Sequence, residues 1–223
     1  MDIRLTVVLG TVLLGTASIA PAQDGDLGND ILRARVNTVY GPSGLINVPH
    51  AYVASKDRIV IGVTLGKDRS ASANVGLFDS VEIGGTYYER RDRTDGKILG
   101  NAKVNIIPAN WRNFEVGIGV IDAADAVNQT VFGVASFEAM TPAALDNQFA
   151  GLRLHGGYGS GLFRDKIIGG GELLFNNRMS LIGEYDGVDG NFAFRYVHNE
   201  NVRAQIGTRG KTIFFTLVTA VNF

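Results

Sequence analysis

Apolar and polar residues alternate along most of the chain after residue 57, in short segments separated by turn residues. In the segment 113–120, every second residue from Phe114 to Val120 is apolar, and the residues between them are Asn, Glu or Gly. A period of two is the pattern of a β-strand with one apolar face. The alternation predicts twelve strands, close to residues 58–66, 70–78, 80–90, 97–107, 112–122, 129–140, 149–159, 166–175, 178–186, 190–198, 201–208 and 212–223.

The segments between these strands are too short for crossover helices, so neighbouring strands must run antiparallel as an up-and-down meander. A sheet of this size closes on itself or leaves two exposed edges. Two closures fit the pattern: a membrane barrel with its apolar face towards lipid, and a soluble periplasmic barrel with an apolar core that binds an apolar ligand. Alternation alone does not say which face lies inside.

The beginning of the chain has the features of a secretory signal peptide. An apolar run, Leu5–Ile19, follows Arg4, and the small residues Ala20 and Ala22 match the A-x-A cleavage pattern. The run is shorter than the roughly 20 apolar residues that a spanning helix needs. We therefore expect cleavage after Ala22 and export, the alternative being a buried N-terminal helix.

Export and strand length favour a transmembrane barrel. Strands of about 9–11 residues are long enough to span an outer membrane, and the last predicted strand ends on the aromatic Phe223. We expect a signal peptide over 1–22, a periplasmic segment over 23–57 and an all-β antiparallel barrel over 58–223 in the cell outer membrane. Its expected partners are outer-membrane lipid and, through the strand ending at Phe223, the barrel-assembly machinery. Short turns should lie on the periplasmic side and longer loops outside.

Composition excludes several classes of function. The chain has 29 Gly and no Cys, and its 21 basic and 22 acidic residues give a net charge of −1. This balance argues against a nucleic-acid partner, and the lack of Cys removes disulfides and thiolate metal sites. We expect neither a cofactor nor a metal.

If the apolar faces contact lipid, the polar faces put charged side chains in the lumen, where they avoid the cost of facing the bilayer. The predicted lumen residues are Glu82, Lys103, Glu115, Arg153, Glu172, Glu184, Asp186, Arg195 and Arg203. They form either a structural network of ion pairs or a path for a polar ligand such as a sugar. Glu184 and Asp186 share a face, and Arg195 on the next strand could pair with either of them.

Motifs of catalysis are incomplete. The segment 207–212 ends like a phosphate-binding loop but lacks the first Gly, and Ser160 lacks the Gly two positions before it that a nucleophile elbow needs. The three His residues are scattered. An outer-membrane enzyme acting on lipid or peptide through His155 and Ser160 stays as an alternative.

The stretch Gly41–Pro49, with the sequence GPSGLINVP, resembles the YjbH-like family of exopolysaccharide-associated outer-membrane β-barrel proteins, whose repeating unit opens with a similar S-G-L-I-x-x-P stretch. Further short similarities occur at residues 75–85, 116–122, 169–171 and 184–187. The resemblance implies a non-enzymatic, porin-like barrel linked to exopolysaccharide export or surface organisation, with exopolysaccharide or its export proteins as partners. Longer members are lipoproteins with several units, whereas this chain resembles one unit without a lipid anchor. Physically, the stretch is a turn before the barrel, and 45–48 lie against the barrel end or partly plug it.

Overall fold

The computed structural model describes residues 35–90, 95–107, 114–140, 151–175, 178–199 and 201–223. The predicted signal peptide, residues 23–34 and residues 176–177 between two predicted strands lie outside these residues. The strands are β1 Arg58–Leu65, β2 Asp68–Phe78, β3 Val81–Arg90, β4 Lys97–Ile107, β5 Phe114–Ile121, β6 Thr130–Met140, β7 Gly151–Gly159, β8 Lys166–Phe175, β9 Met179–Tyr185, β10 Gly190–Val197, β11 Val202–Arg209 and β12 Thr212–Asn222. A 3-10 turn occupies Gly161–Phe163 between β7 and β8.

The twelve strands form one closed antiparallel barrel in which each strand pairs with its neighbours in sequence. The seam is the pairing of β1 with β12, which runs from Arg58 opposite Asn222 to Leu65 opposite Phe215. Closure leaves no unpaired sheet edge. The predicted number of strands and the up-and-down meander are therefore confirmed.

Alternate residues of each strand face opposite sides of the wall. In β10, Phe192 and Phe194 are 66% and 38% exposed, whereas Ala193 and Arg195 are 4% and 3% exposed. The apolar side chains thus cover the outside and the polar ones the inside, which is the arrangement of an outer-membrane barrel. A soluble barrel would need the reverse. Within the described residues, no helix is both long and apolar enough to cross a membrane.

The two ends of the barrel differ in what they carry. We call the end where β1 begins and β12 ends the terminal end, and the opposite one the loop end. The loop end carries the connections 122–129 and 160–165, and the terminal end has the two-residue turn at 79–80. Ten residues, 141–150, separate the end of β6 from the start of β7 at the terminal end and lie outside the described residues, so by chain length the expected division into short turns at one end and longer loops at the other holds only in part.

Candidate functional site: a lumen closed by the N-terminal segment

The lumen is occupied by the chain itself. Residues 36–54 are buried apart from the half-buried Tyr40, and they lie inside the barrel before the chain enters β1. We call residues 36–54 the plug. The segment 23–57 was expected to be periplasmic, with 45–48 against the barrel end or partly plugging it; the buried stretch in the lumen is longer and covers 36–54. The reason is that the interior of a twelve-stranded barrel is wider than wall side chains alone can fill.

The plug is compact because its turns hydrogen-bond to one another. The Thr38 amide donates to the Pro42 carbonyl at 2.8 Å, and the Leu45 amide donates to the Val48 carbonyl at 2.9 Å. Gly41 has a φ of +122°, and a Cβ at that position would meet the Asn101 side chain at 2.5 Å. Only glycine therefore suits this turn.

Apolar plug residues pack on four parts of the inner wall, including two that contact residues 45–51. Val48 and Ala51 join a cluster with Ile121, Phe132, Val134, Phe163 and Ile168. On the other side, Leu45 and Ile46 contact a cluster formed by Ile182, Ala193 and Phe214. The plug therefore covers apolar areas of an otherwise polar lumen.

Glu82 and Lys103 hold the plug at Ser43. The Glu82 carboxylate accepts hydrogen bonds from the Ser43 amide at 2.9 Å, the Ser43 hydroxyl at 2.6 Å and the Ala54 amide at 2.7 Å. Lys103 Nζ donates to the Ser43 carbonyl at 2.9 Å and lies 3.6 Å from Glu82. These two predicted lumen residues therefore bind both the donors and the acceptor of one plug residue.

Glu184 performs the same function on the opposite wall, nearer the loop end. Its carboxylate accepts the backbone amides of Ile46, Asn47 and Val48 at 2.9, 2.8 and 3.1 Å. The Asn191 side chain adds a fourth hydrogen bond at 2.9 Å. Four donors around one carboxylate compensate its buried charge without an ion pair.

The neighbouring Asp186 binds a side chain of the plug. Its Oδ2 accepts hydrogen bonds from the Asn47 side chain at 2.6 Å and from the Asn191 side chain at 3.0 Å. Its Oδ1 accepts the amides of Val188 and Asp189 at 3.0 and 2.8 Å. Asp186 thus joins the β9–β10 turn to the plug.

Arg195 pairs with Glu172 and not with Glu184 or Asp186, which corrects the sequence expectation. Its Nη1 lies 2.9 Å from Glu172, and its Nη2 donates to the Leu45 carbonyl at 3.0 Å. The strand register explains the difference, because Arg195 lies opposite Ser180, whereas Glu184 lies opposite Asn191. Four residues of strand span about 13 Å, too far for an ion pair.

Arg153 extends this network towards Tyr52 of the plug. Its guanidinium lies 3.7 Å from Glu172 and 3.3 Å from Glu138, and its Cζ is 5.8 Å from the centre of the Tyr52 ring. Burial raises the pKa of Tyr52 to about 12, so the ring stays neutral. The sequence left open a structural network of ion pairs or a path for a polar ligand, and these contacts fit the structural network.

The remaining two predicted lumen residues are Arg203 and Glu115. Arg203 donates to the Arg35 carbonyl at 3.2 Å. Glu115 accepts a hydrogen bond from Asn105. Burial lowers the pKa of Arg35 to about 10, and its guanidinium lies 4.5 Å from the centre of the Tyr52 ring.

His155 contacts a serine, but the serine is Ser136 and not Ser160. Ser136 Oγ is 2.8 Å from His155 Nδ1 and also accepts the Ala51 amide at 2.8 Å. Ser160 instead hydrogen-bonds the backbone of Val131. Within the described residues, His155 Nε2 has no hydrogen-bond partner, so no carboxylate orients the ring as in a catalytic triad. The pair is buried beneath the plug, which argues for a structural role.

A polar cavity of about 630 Å³ lies at the loop end above the plug. We call it the vestibule. Tyr40 and Asn47 of the plug contribute to its lining, together with the loop-end residues Asp186, Asn191 and Arg209. Among the described residues, no group of three or more acidic or His side chains is arranged to hold a metal ion.

The alternation pattern did not indicate which residues of the barrel wall contact the plug. Asn37 donates to the Val60 carbonyl at 3.0 Å and to Ser72 at 2.9 Å, and Asn74 donates to the Gly41 carbonyl at 2.5 Å. The string GPSGLINVP was the available signal, because its turn residues cannot continue a strand. It does not indicate which wall residues it contacts.

No protein-family model and no curated protein matches the chain. Among solved structures, the KdgM porin in complex with disordered oligogalacturonate has a TM-score of 0.50 and 9% identity, covering 74% of this chain and 99% of the porin. The KdgM porin itself has a TM-score of 0.49, with the same identity and coverage. The N-terminal β-barrel domain of Pseudomonas aeruginosa OprF has a TM-score of 0.25 and 10% identity, covering 76% of this chain and 100% of that domain. At this identity, the first comparison is evidence for the fold alone, and it confirms an outer-membrane β-barrel.

Proposed function

We propose that this chain is a non-enzymatic, porin-like outer-membrane barrel whose lumen is closed by its own plug, and that it takes part in the export or surface organisation of exopolysaccharide. The observation that carries the closure is the burial of residues 36–54 inside the barrel. Buried carboxylates, arginine and lysine hold the plug on opposite walls. The native protein is therefore a closed barrel and not an open diffusion channel.

Two arguments support a role without catalysis. The Ser136–His155 pair has no orienting carboxylate, and the plug backbone occupies the hydroxyl of Ser136. The lumen residues Glu82, Lys103 and Glu184 already use their charged groups in hydrogen bonds to the plug. A residue that already makes two or more buried hydrogen bonds would have to break them before it could act on a substrate.

The link to polysaccharide rests on the resemblance of Gly41–Pro49 to the YjbH-like family. The structure adds a physical reason why this stretch matters, since Ser43, Ile46, Asn47 and Val48 are residues that the buried carboxylates bind. The proposal is that members of the family share this plug, and that the barrel presents it to polysaccharide or to its export proteins.

The first test is location and closure. Outer-membrane fractions should contain a protein whose migration on a gel shifts on boiling, as expected of a closed barrel. In planar bilayers, the purified protein should give no stable conductance step. A soluble periplasmic protein without a heat shift, or a steady open channel, would contradict the proposal.

The second test is the polysaccharide role. Deleting the coding sequence should lower the amount of cell-surface polysaccharide, and the wild-type chain should restore it. Unchanged polysaccharide in a strain that is known to produce it would remove this role and leave the closed barrel in place.

A further inference from the structure

The vestibule has the size and lining of a ligand site. Its volume of about 630 Å³ falls within the roughly 300–1,000 Å³ of small-molecule pockets. Its lining combines plug residues with residues from strand ends and loop-end connections, and most of them are polar or charged. Such a lining suits a hydroxyl-rich ligand better than a lipid chain.

The charges that line the vestibule leave an excess of free cations. The lining contains five basic and three acidic residues. Asp68 is paired with Arg209 at 3.2 Å, and Asp186 makes four hydrogen bonds to neighbouring groups. Among the described residues, Lys67, Arg164 and Lys211 form no ion pair, and one carboxylate, Asp189, is left to oppose them. The vestibule therefore favours an anionic ligand.

Two residues of the lining each carry a buried polar atom without a hydrogen-bond partner in the described structure. Asn47 is 2% exposed, and its Oδ1 has no hydrogen-bond partner in the described structure. The same holds for Arg209 Nε, although the other guanidinium nitrogens contact Asp68 and the Tyr40 hydroxyl. Buried polar atoms are normally satisfied. One acceptor and one donor match a ligand that carries both hydroxyl groups and acidic oxygens.

We infer that the vestibule binds a short acidic oligosaccharide, with its carboxylate towards Lys67 and Lys211 and its hydroxyl groups towards Asn47 and Arg209. This assignment names the ligand class for the proposed polysaccharide role and rests on that role. Because Asn47 belongs to the plug, the ligand sits directly on the segment that closes the lumen.

The test is calorimetric titration of the full, detergent-solubilised protein with a matched pair of probes. Cellobiuronate carries one carboxylate, and cellobiose is its neutral counterpart. Cellobiuronate should bind at least about ten-fold tighter, with an affinity that falls as salt rises. The double variant Lys67→Gln/Lys211→Gln should lose this preference, whereas Asp189→Asn should strengthen acidic binding several-fold. Arg69→Gln is the matched control, since Arg69 is exposed beside the loop end and does not line the vestibule.

Equal affinity for both sugars, or full retention of binding in the double variant, would overturn the inference. Competition by inorganic phosphate at equal concentration would also overturn the inference, because the vestibule would then bind any small anion without recognising the sugar. Lipopolysaccharide also carries acidic sugars, so its competition with cellobiuronate would support the site and identify a lipid-borne source. A heat-shifting, non-conducting barrel that fails to bind cellobiuronate would refute this inference and leave the closed barrel standing.

Discussion

Glu184 is the residue whose replacement tests the plug most directly. Its two oxygens accept three backbone amides of the plug and one Asn191 amide, at 2.8–3.1 Å. The change Glu184→Gln keeps the shape of the side chain and replaces one acceptor oxygen with an NH₂ group. Whichever way the amide is turned, its NH₂ group then faces N–H donors.

The cost can be worked out from these contacts. Oε2 accepts Ile46 and Val48, and Oε1 accepts Asn47 and Asn191, so the substitution leaves two buried donors without an acceptor. Each unsatisfied donor costs about 1–3 kcal/mol, which gives about 2–6 kcal/mol for docking of the plug. At about 1.4 kcal/mol per factor of ten, the docking equilibrium falls by roughly 30-fold or more.

A cysteine in the plug measures this equilibrium, because the native chain has no Cys. Thr38→Cys places a thiol at a position that is 1% exposed, whereas Ser55→Cys places one at an exposed position just beyond the plug. We expect a water-soluble maleimide to label position 38 far more slowly than position 55 in the native barrel. Adding Glu184→Gln should raise labelling at position 38 by roughly 30-fold and leave position 55 unchanged. Glu138→Gln is the matched control, since Glu138 is half-buried and contacts Arg153 and no plug residue.

The barrel must stay closed for this comparison to be valid, and the heat shift on a gel checks that it does. Equal protection of position 38 in Glu184→Gln and in Glu138→Gln would refute the reasoning, because the four hydrogen bonds would then not hold the plug. Fast labelling of position 38 in the native barrel would refute the plug itself.

Three further predictions use the unfolding temperature in detergent. Gly157→Ala should lower it, because the new Cβ would lie 2.9 Å from a backbone atom of β6, whereas Gly156→Ala should be tolerated, because no atom lies within 4 Å of its Cβ; similar values for the two variants would contradict the packing argument. Arg195→Ala should lower the free energy of unfolding by about 3–5 kcal/mol, because it removes the closest cation from Glu172 and a hydrogen-bond donor from the plug. An unchanged unfolding temperature would show that this ion-pair network does not stabilise the barrel. Burial lowers the pKa of His50 well below its ordinary value, so at low pH the unfolded chain binds a proton that the folded chain does not. The unfolding temperature should therefore fall as the pH drops below about 6.5. His50→Gln should weaken this pH dependence, and an identical pH profile would exclude this histidine as its cause.

The wall of the barrel was predictable from the sequence because its signal is local. Each strand needs only an alternation of period two and turn residues at its ends, and both are visible in segments of about ten residues. In β4, predicted and observed ranges are both 97–107, and in no strand do the bounds differ by more than two residues. The two-residue differences are at the starts of β2, β5 and β7.

The contacts inside the lumen were not predictable, because they depend on the register between strands and on the path of the plug. The pairing of Arg195 with Glu172 reaches across β9, and sequence adjacency had suggested Glu184 instead. The contact of Glu184 with Ile46 joins residues 138 positions apart. Neither relation leaves a periodic signal in the sequence, and the mixed charges alone indicated only that the lumen is polar.

The distribution of charge in the lumen follows from what the plug offers. A plug without a sheet of its own carries unpaired backbone groups into a buried space, and each one left alone would cost free energy. Two of the buried carboxylates, Glu82 and Glu184, bind plug amides, and two of the buried cations, Lys103 and Arg195, bind plug carbonyls. At these four residues each sign of charge meets the backbone group that it can satisfy, so the wall replaces water that the plug backbone has lost. The same contacts compensate the charges of the wall, which explains how a lumen that contains charges of both signs can be closed by a segment of its own chain.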